Sequence, residues 1–235
     1  MHRAVLRKFA QRLALRFRVT LVDLPGHGGS GLIEDLSLSG ISGALLEQAP
    51  ERAHWVGWSL GAAVALHAAG TAESRVCSLI MMAGSPKFVG NDGWPGMDES
   101  ILLQFARELR EDYPQTLQRF LGLQVWGLED ARELLKDLRS CLAEHEPPRE
   151  EALEAGLGIL RSADLRHTLG ELRMPTLAIL GRRDRLVPVA AGEAMRQLND
   201  NMEVRVLEHA THIPFWTHPD ETLTEVQCFL NRHDG

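Results

Sequence analysis

Gly57-Trp58-Ser59-Leu60-Gly61 sets a hydroxyl nucleophile at the centre of a glycine-flanked turn. The mostly apolar residues 53–56 precede it, and a run of small residues with helical character, 62–69, follows. A strand, a sharp turn and a helix force such a serine into a strained backbone, so that its hydroxyl projects above a sheet. The next amide, that of Leu60, then points to where an acyl oxyanion forms. Glycines at 57 and 61 are expected to let strand and helix pack closely around the turn. The pentapeptide alone is common by chance, so its weight depends on what accompanies it.

Two further groups accompany it in a usable order. Gly181-Arg182-Arg183-Asp184-Arg185-Leu186-Val187-Pro188 follows an apolar strand pattern ending at Leu180, which puts Asp184 in a loop at a strand's carboxyl end. Open parallel sheets assemble their sites there. Glu208-His209-Ala210-Thr211-His212-Ile213-Pro214-Phe215 follows the strand pattern ending at Leu207. An imidazole in that loop would take the Ser59 proton while Asp184 fixes its tautomer and stabilises the imidazolium. His209, His212 and His218 all lie near this strand end. His209 directly follows the turn, and His218 precedes Pro219, a natural helix start. His212 sits deeper in the loop and is the base expected here.

These groups need a sheet to hold them. Strand patterns recur at residues 19–24, 53–56, 76–83, 176–180 and 203–207, with helical patterns between and after them, including 189–198 and 220–232. That alternation predicts an α/β fold with a mainly parallel sheet. Ser37 or Ser39 is placed to cap a short helix reaching Gln48. Residues 84–173 have a different texture: strand patterns stop and charged amphipathic helices are expected at 99–110, 114–125, 129–145 and 149–162. The block reads as a helical cap inserted into a core of residues 1–83 and 174–235. A separate helical domain is the alternative, and the return of the strand pattern afterwards favours the cap.

The amino-terminal stretch holds Arg3, Arg7, Lys8, Arg12, Arg16 and Arg18 before the first acidic residue, Asp23. An organelle-targeting peptide is one reading. A surface helix burying Val5, Phe9, Leu13 and Phe17 is the preferred one, because it runs directly into the 19–24 pattern. The formal charge of -7 over 235 residues and the lack of any later basic block argue against a nucleic-acid binder. No apolar run approaches the roughly 18 residues of a membrane span. Cys77, Cys141 and Cys228 are odd in number and lack metal-ligand spacing, which predicts reduced thiols in a cytoplasmic protein. A monomer without metal or organic cofactor is expected.

Val22-Asp23-Leu24-Pro25-Gly26, the Trp58-containing elbow, Trp94-Pro95-Gly96, Arg119-Phe120-Leu121, Asp164-Leu165-Arg166, the Asp184 loop and His212 through Pro219 run almost end to end. With these pieces the chain resembles the pimeloyl-acyl-carrier-protein methyl ester esterases of biotin synthesis, carboxylesterases of the α/β-hydrolase superfamily. The resemblance implies Ser59, Asp184 and His212 as catalytic groups, Leu60 as an oxyanion amide, and Trp58 and Phe120 as substrate contacts. It further implies docking of acidic acyl-carrier protein, the partner that carries the substrate, on Arg119, Arg132 and Lys136. A general short-chain carboxylesterase or a carbon–carbon bond hydrolase is the alternative within the fold, because substrate choice resides in the cap. Family members begin with further strands and a His-Gly loop that supplies a second oxyanion amide, whereas this chain starts with what resembles the next helix. The expected fold therefore lacks the N-terminal strands. Either the start was placed too late, which is preferred, or a truncated relative pairs the 19–24 and 53–56 strands directly and survives as an inactive binding protein.

Overall fold

The computed structural model describes residues 2–91 and 93–233. Its sheet has four parallel strands, β1 (Ala53–Trp58), β2 (Val76–Met82), β3 (Thr176–Gly181) and β4 (Met202–Leu207), adjacent in chain order. Period-two alternation along β2 sends Leu79 and Met81 to one face and Ile80 and Met82 to the other, and all four are fully buried. A parallel strand covered on both faces reads as a continuous apolar run, which is why β2 and β3 were plain in the sequence. One face is covered by α3 (Leu60–Thr71), α8 (Arg166–Glu171) and α9 (Ala190–Leu198), the other by α1 (Arg7–Leu13) and α11 (Pro219–His233). The expected stripe of Val5, Phe9 and Leu13 is buried on that second face. Ser37, not Ser39, caps α2 (Leu38–Gln48), its Oγ accepting from Gly40 N at 3.1 Å.

Residues 19–24 correct the sequence reading. They form no strand and pair with no strand, so the direct pairing of this segment with β1 is not formed. β1 is consequently an edge strand, and Val56 in its middle is 40% exposed. A strand pattern reports only what a segment can bury, whereas a ladder also needs a neighbour in register.

Between β2 and β3 lie α4 (Glu99–Glu111), α5 (Tyr113–Val125), α6 (Ala131–Ala143) and α7 (Glu150–Ser162), within about two residues of the expected ends. Aspartates begin two of them: Asp98 Oδ1 accepts from Ser100 N at 2.7 Å and Asp112 Oδ1 from Gln115 N at 3.0 Å. α7 reaches the core at Gly156, where a Cβ would meet Leu60 Cδ2 at 2.9 Å. The short helices α8 and α10 (Pro214–Thr217) were not anticipated, since one or two turns carry too little periodicity to detect. Among the described residues no helix is long and apolar enough to cross a membrane.

The loop after residue 24 buries His27, whose Nδ1 lies 3.1 Å from Pro25 O. Burial above all pushes its imidazole down to about 4. An unfolded histidine titrates near 6.5, so between those values the unfolded chain binds a proton that the native fold refuses. Stability therefore falls on acidification from pH 6.5 to 4, by on the order of 3 kcal/mol for this group. His2, His67 and His218, also lowered by burial, act in the same direction. Denaturant midpoints measured from pH 7.5 to 4.5 are expected to decline, and His27→Gln to flatten that decline.

Candidate active site

Each of the expected catalytic groups leaves the carboxyl end of a strand. Ser59 follows β1 directly, at φ 53° and ψ -120°, a conformation that L residues avoid. The sheet holds it there, because Ser59 N donates to Met82 O at 3.0 Å. Gly57 is required: a Cβ there would collide with Gly61 O and lie 2.5 Å from Ala62 Cα. Gly61 has a different standing, since a Cβ at that position meets nothing within 4 Å. The expectation of two packing glycines is thus half right. Leu60 opens α3, so its N–H belongs to the first turn, where no intrahelical acceptor exists.

Gly181, at the end of β3, performs the second close approach. A Cβ there would collide with Ala210 O and sit 2.5 Å from Thr211 O. The β3 end and the histidine loop therefore pass in backbone contact, tied by Arg183 N donating to Ala210 O at 2.9 Å. This brings Asp184 and His212 together. His212 Nδ1 lies 2.8 Å from Asp184 Oδ2, and His212 Nε2 lies 2.8 Å from Ser59 Oγ. The Asp184 side chain is fully buried and His212 is 2% exposed. Asp184 Oδ1 accepts from Leu186 N at 2.7 Å and Val187 N at 3.1 Å, so both carboxyl oxygens are satisfied. With a proton on Nδ1, the ring has Nε2 free to accept from the Ser59 hydroxyl. His209 and His218 stay out of this line: His209 reaches towards Arg183, and His218 caps the start of α11 by accepting from Thr222.

Trp58, implied by the resemblance as a substrate contact, is buried, and its hold on the histidine loop was not legible in the sequence. Its Nε1 donates to the His212 carbonyl at 2.7 Å, and its ring packs edge-on against Phe215 at 5.1 Å. The indole thus pins the histidine loop from below. Phe120 of α5 packs on the cluster that contains Trp58, Ile213 and Phe215, and its ring lies 5.4 Å from that of Phe105.

The basic residues divide. Arg119 is already engaged, with Glu108 at 3.1 Å and Thr116 Oγ1 at 3.3 Å. Arg132 and Lys136 on α6, together with Arg139, have no ion pair among the described residues and line a cleft of about 590 Å³ with Trp126, Leu135 and Gly122. Trp126 is 63% exposed, and Arg185 from the Asp184 loop stacks on it at 3.9 Å. Arg183 Nη1 also donates to Gly127 O at 2.9 Å, which ties the end of α5 to the same loop.

The sequence matches the family described as alpha/beta hydrolase fold over residues 2–219. It is 48% identical over 230 residues to the pimeloyl-[acyl-carrier protein] methyl ester esterase of Methylococcus capsulatus, covering 98% of this chain and 91% of that protein. The protein of that name from Serratia marcescens is 41% identical, with 95% and 88% covered. Among solved structures, an esterase from Exiguobacterium antarcticum superposes with a TM-score of 0.86 at 20% identity, over 97% of this chain and 87% of that one. An enol-lactonase from Burkholderia xenovorans gives 0.82 at 20% identity, over 97% and 86%, which speaks for the fold alone. The chain belongs to the alpha/beta hydrolase fold family and, within it, to the family of pimeloyl-[acyl-carrier protein] methyl ester esterases.

Proposed function

We propose that this chain is a serine carboxylesterase that cleaves the methyl ester at the far end of a pimeloyl chain carried on acyl-carrier protein, a step in biotin synthesis. The observation that carries the chemistry is the continuous hydrogen-bonded line from Ser59 through His212 to a buried, fully satisfied Asp184. The Ser59 oxygen attacks the ester carbonyl carbon while His212 Nε2 takes its proton. Asp184 holds the Nδ1–H and stabilises the imidazolium as it forms. The Leu60 amide donates to the oxyanion. The carbonyl re-forms, and methanol leaves with the proton from His212. Water then repeats the attack on the acyl-enzyme, which releases the free acid and restores Ser59.

Helices α4 to α7 are proposed as the cap that selects the acyl chain, with Trp58 and Phe120 against its methylenes. Relatives 37–48% identical carry the name of the carrier-linked esterase, and the cations of α6, which have no ion pair among the described residues, suit a strongly acidic carrier. Three free cysteines are consistent with a reducing cytoplasm.

A fluorophosphonate probe is expected to label the wild type and not Ser59→Ala; an unlabelled wild type would remove the nucleophile assignment. Asp184→Asn, which can hold His212 in the wrong tautomer, is expected to lower kcat by about 10⁴-fold with the fold retained. Circular dichroism alongside turnover checks both halves of that statement. Replacing Arg132 and Lys136 together by Gln is expected to lower kcat/KM for the carrier-bound ester about tenfold more than for free dimethyl pimelate, with a weaker salt dependence. Equal losses on the two substrates would remove the docking role.

A further inference from the structure

Arg183 and Arg185 flank the buried Asp184, yet both side chains engage the turn that joins α5 to α6. Arg183 Nη1 donates to Gly127 O at 2.9 Å, and the Arg185 guanidinium carbon lies 3.9 Å from the centre of the Trp126 ring. Among the described residues neither arginine forms an ion pair, so these contacts are what their charges serve. A guanidinium over an indole face is attracted by the ring's electron density even where water reaches it.

The two sides of this contact are unequal. The Asp184 loop is anchored to the sheet: Arg182 N donates to Leu207 O at 3.0 Å, Arg183 N to Ala210 O at 2.9 Å and Asp184 N to Gly181 O at 3.1 Å. The α5–α6 hairpin has less to hold it. Leu138 is the one buried residue of α6, and Gly127 bends the chain at φ 78° beside an exposed indole. Segments with few buried apolar side chains open locally at low cost. Beyond its far end, α6 leads to His145, whose ring lies 3.9 Å from that of His2. At the near end the two arginines are the fastening. What they fasten matters for the site, because α5 sets Leu117, Phe120 and Leu121 on the cluster containing Trp58, Ile213 and Phe215.

We propose that Arg183 and Arg185 are positioning residues, a clasp that seats the α5–α6 hairpin on the Asp184 loop and so holds α5 closed over the strand ends. Its effect on turnover rests on the methyl-ester reading above; the clasp itself does not. Hydrogen exchange followed by mass spectrometry reads the clasp directly. In the double variant Arg183→Gln, Arg185→Gln, residues 117–138 are expected to exchange about tenfold faster, with β3 and β4 unchanged. Trp126→Phe keeps a ring face and is expected to stay within about twofold of the wild type, whereas Trp126→Leu speeds the hairpin about threefold. For the double variant, KM for dimethyl pimelate is expected to rise about threefold, because only the closed fraction holds a long ester. Its kcat on p-nitrophenyl acetate, too short to need the helices, stays at the wild-type value. Unaltered hairpin exchange in the double variant, or in Trp126→Leu, overturns the clasp. Faster hairpin exchange with KM unmoved overturns the positioning role. Faster exchange in β3 and β4, with kcat lost on both esters, makes the arginines supports of the Asp184 loop and overturns it too. A wild type that cleaves neither ester removes the esterase reading and leaves the exchange rates to decide the clasp.

Discussion

The site depends on how closely backbones pass at the carboxyl end of the sheet. Gly57 lets the start of α3 lie directly on β1, and Gly181 lets the histidine loop lie on the end of β3. Neither approach admits a methyl group. The first sets the strained backbone of Ser59, and the second sets the separation between Asp184 and His212. The line of 2.8 Å hydrogen bonds is a consequence of these contacts, because side chains on well-packed loops have little freedom left to misalign. Trp58 adds the third constraint by holding the His212 carbonyl from within the core.

Burial and polarity are arranged to match. Asp184 is removed from solvent, yet each of its oxygens has an amide or imidazole partner, so the cost of burying a carboxylate is offset locally. The helices between β2 and β3 follow the opposite rule on α6, where Arg132, Lys136 and Arg139 have no ion pair among the described residues and lie beside an exposed indole. The buried line from Ser59 to Asp184 and the exposed basic face of α6 thus occupy different layers of the molecule. α5 joins them, packing on Trp58 through Phe120 and reaching the Asp184 loop through Gly127.

Much of this was legible because the informative signals were local. The elbow motif, Asp184 and His212 each follow a short apolar run, and strand–loop patterns of that kind survive without knowledge of tertiary contacts. The stripe of Val5, Phe9 and Leu13 was legible for the same reason. Residues 19–24 were misread, since apolar character promises burial and says nothing of a ladder partner. Gly61 matched a motif whose packing argument fails at that position. Sequence could not show that Arg119, implied as a docking cation, is paired with Glu108.

The bare flank of β1 has a consequence for the sheet as a whole. Interior strands are sealed by neighbours on both sides, whereas β1 turns one row of amides and carbonyls away from every other strand, with Val56 standing open at its middle. Edges of this kind invite any extended chain that can continue the ladder. In this sheet the strand that would take up such an addition is β1, which leads directly into the strained turn at Ser59.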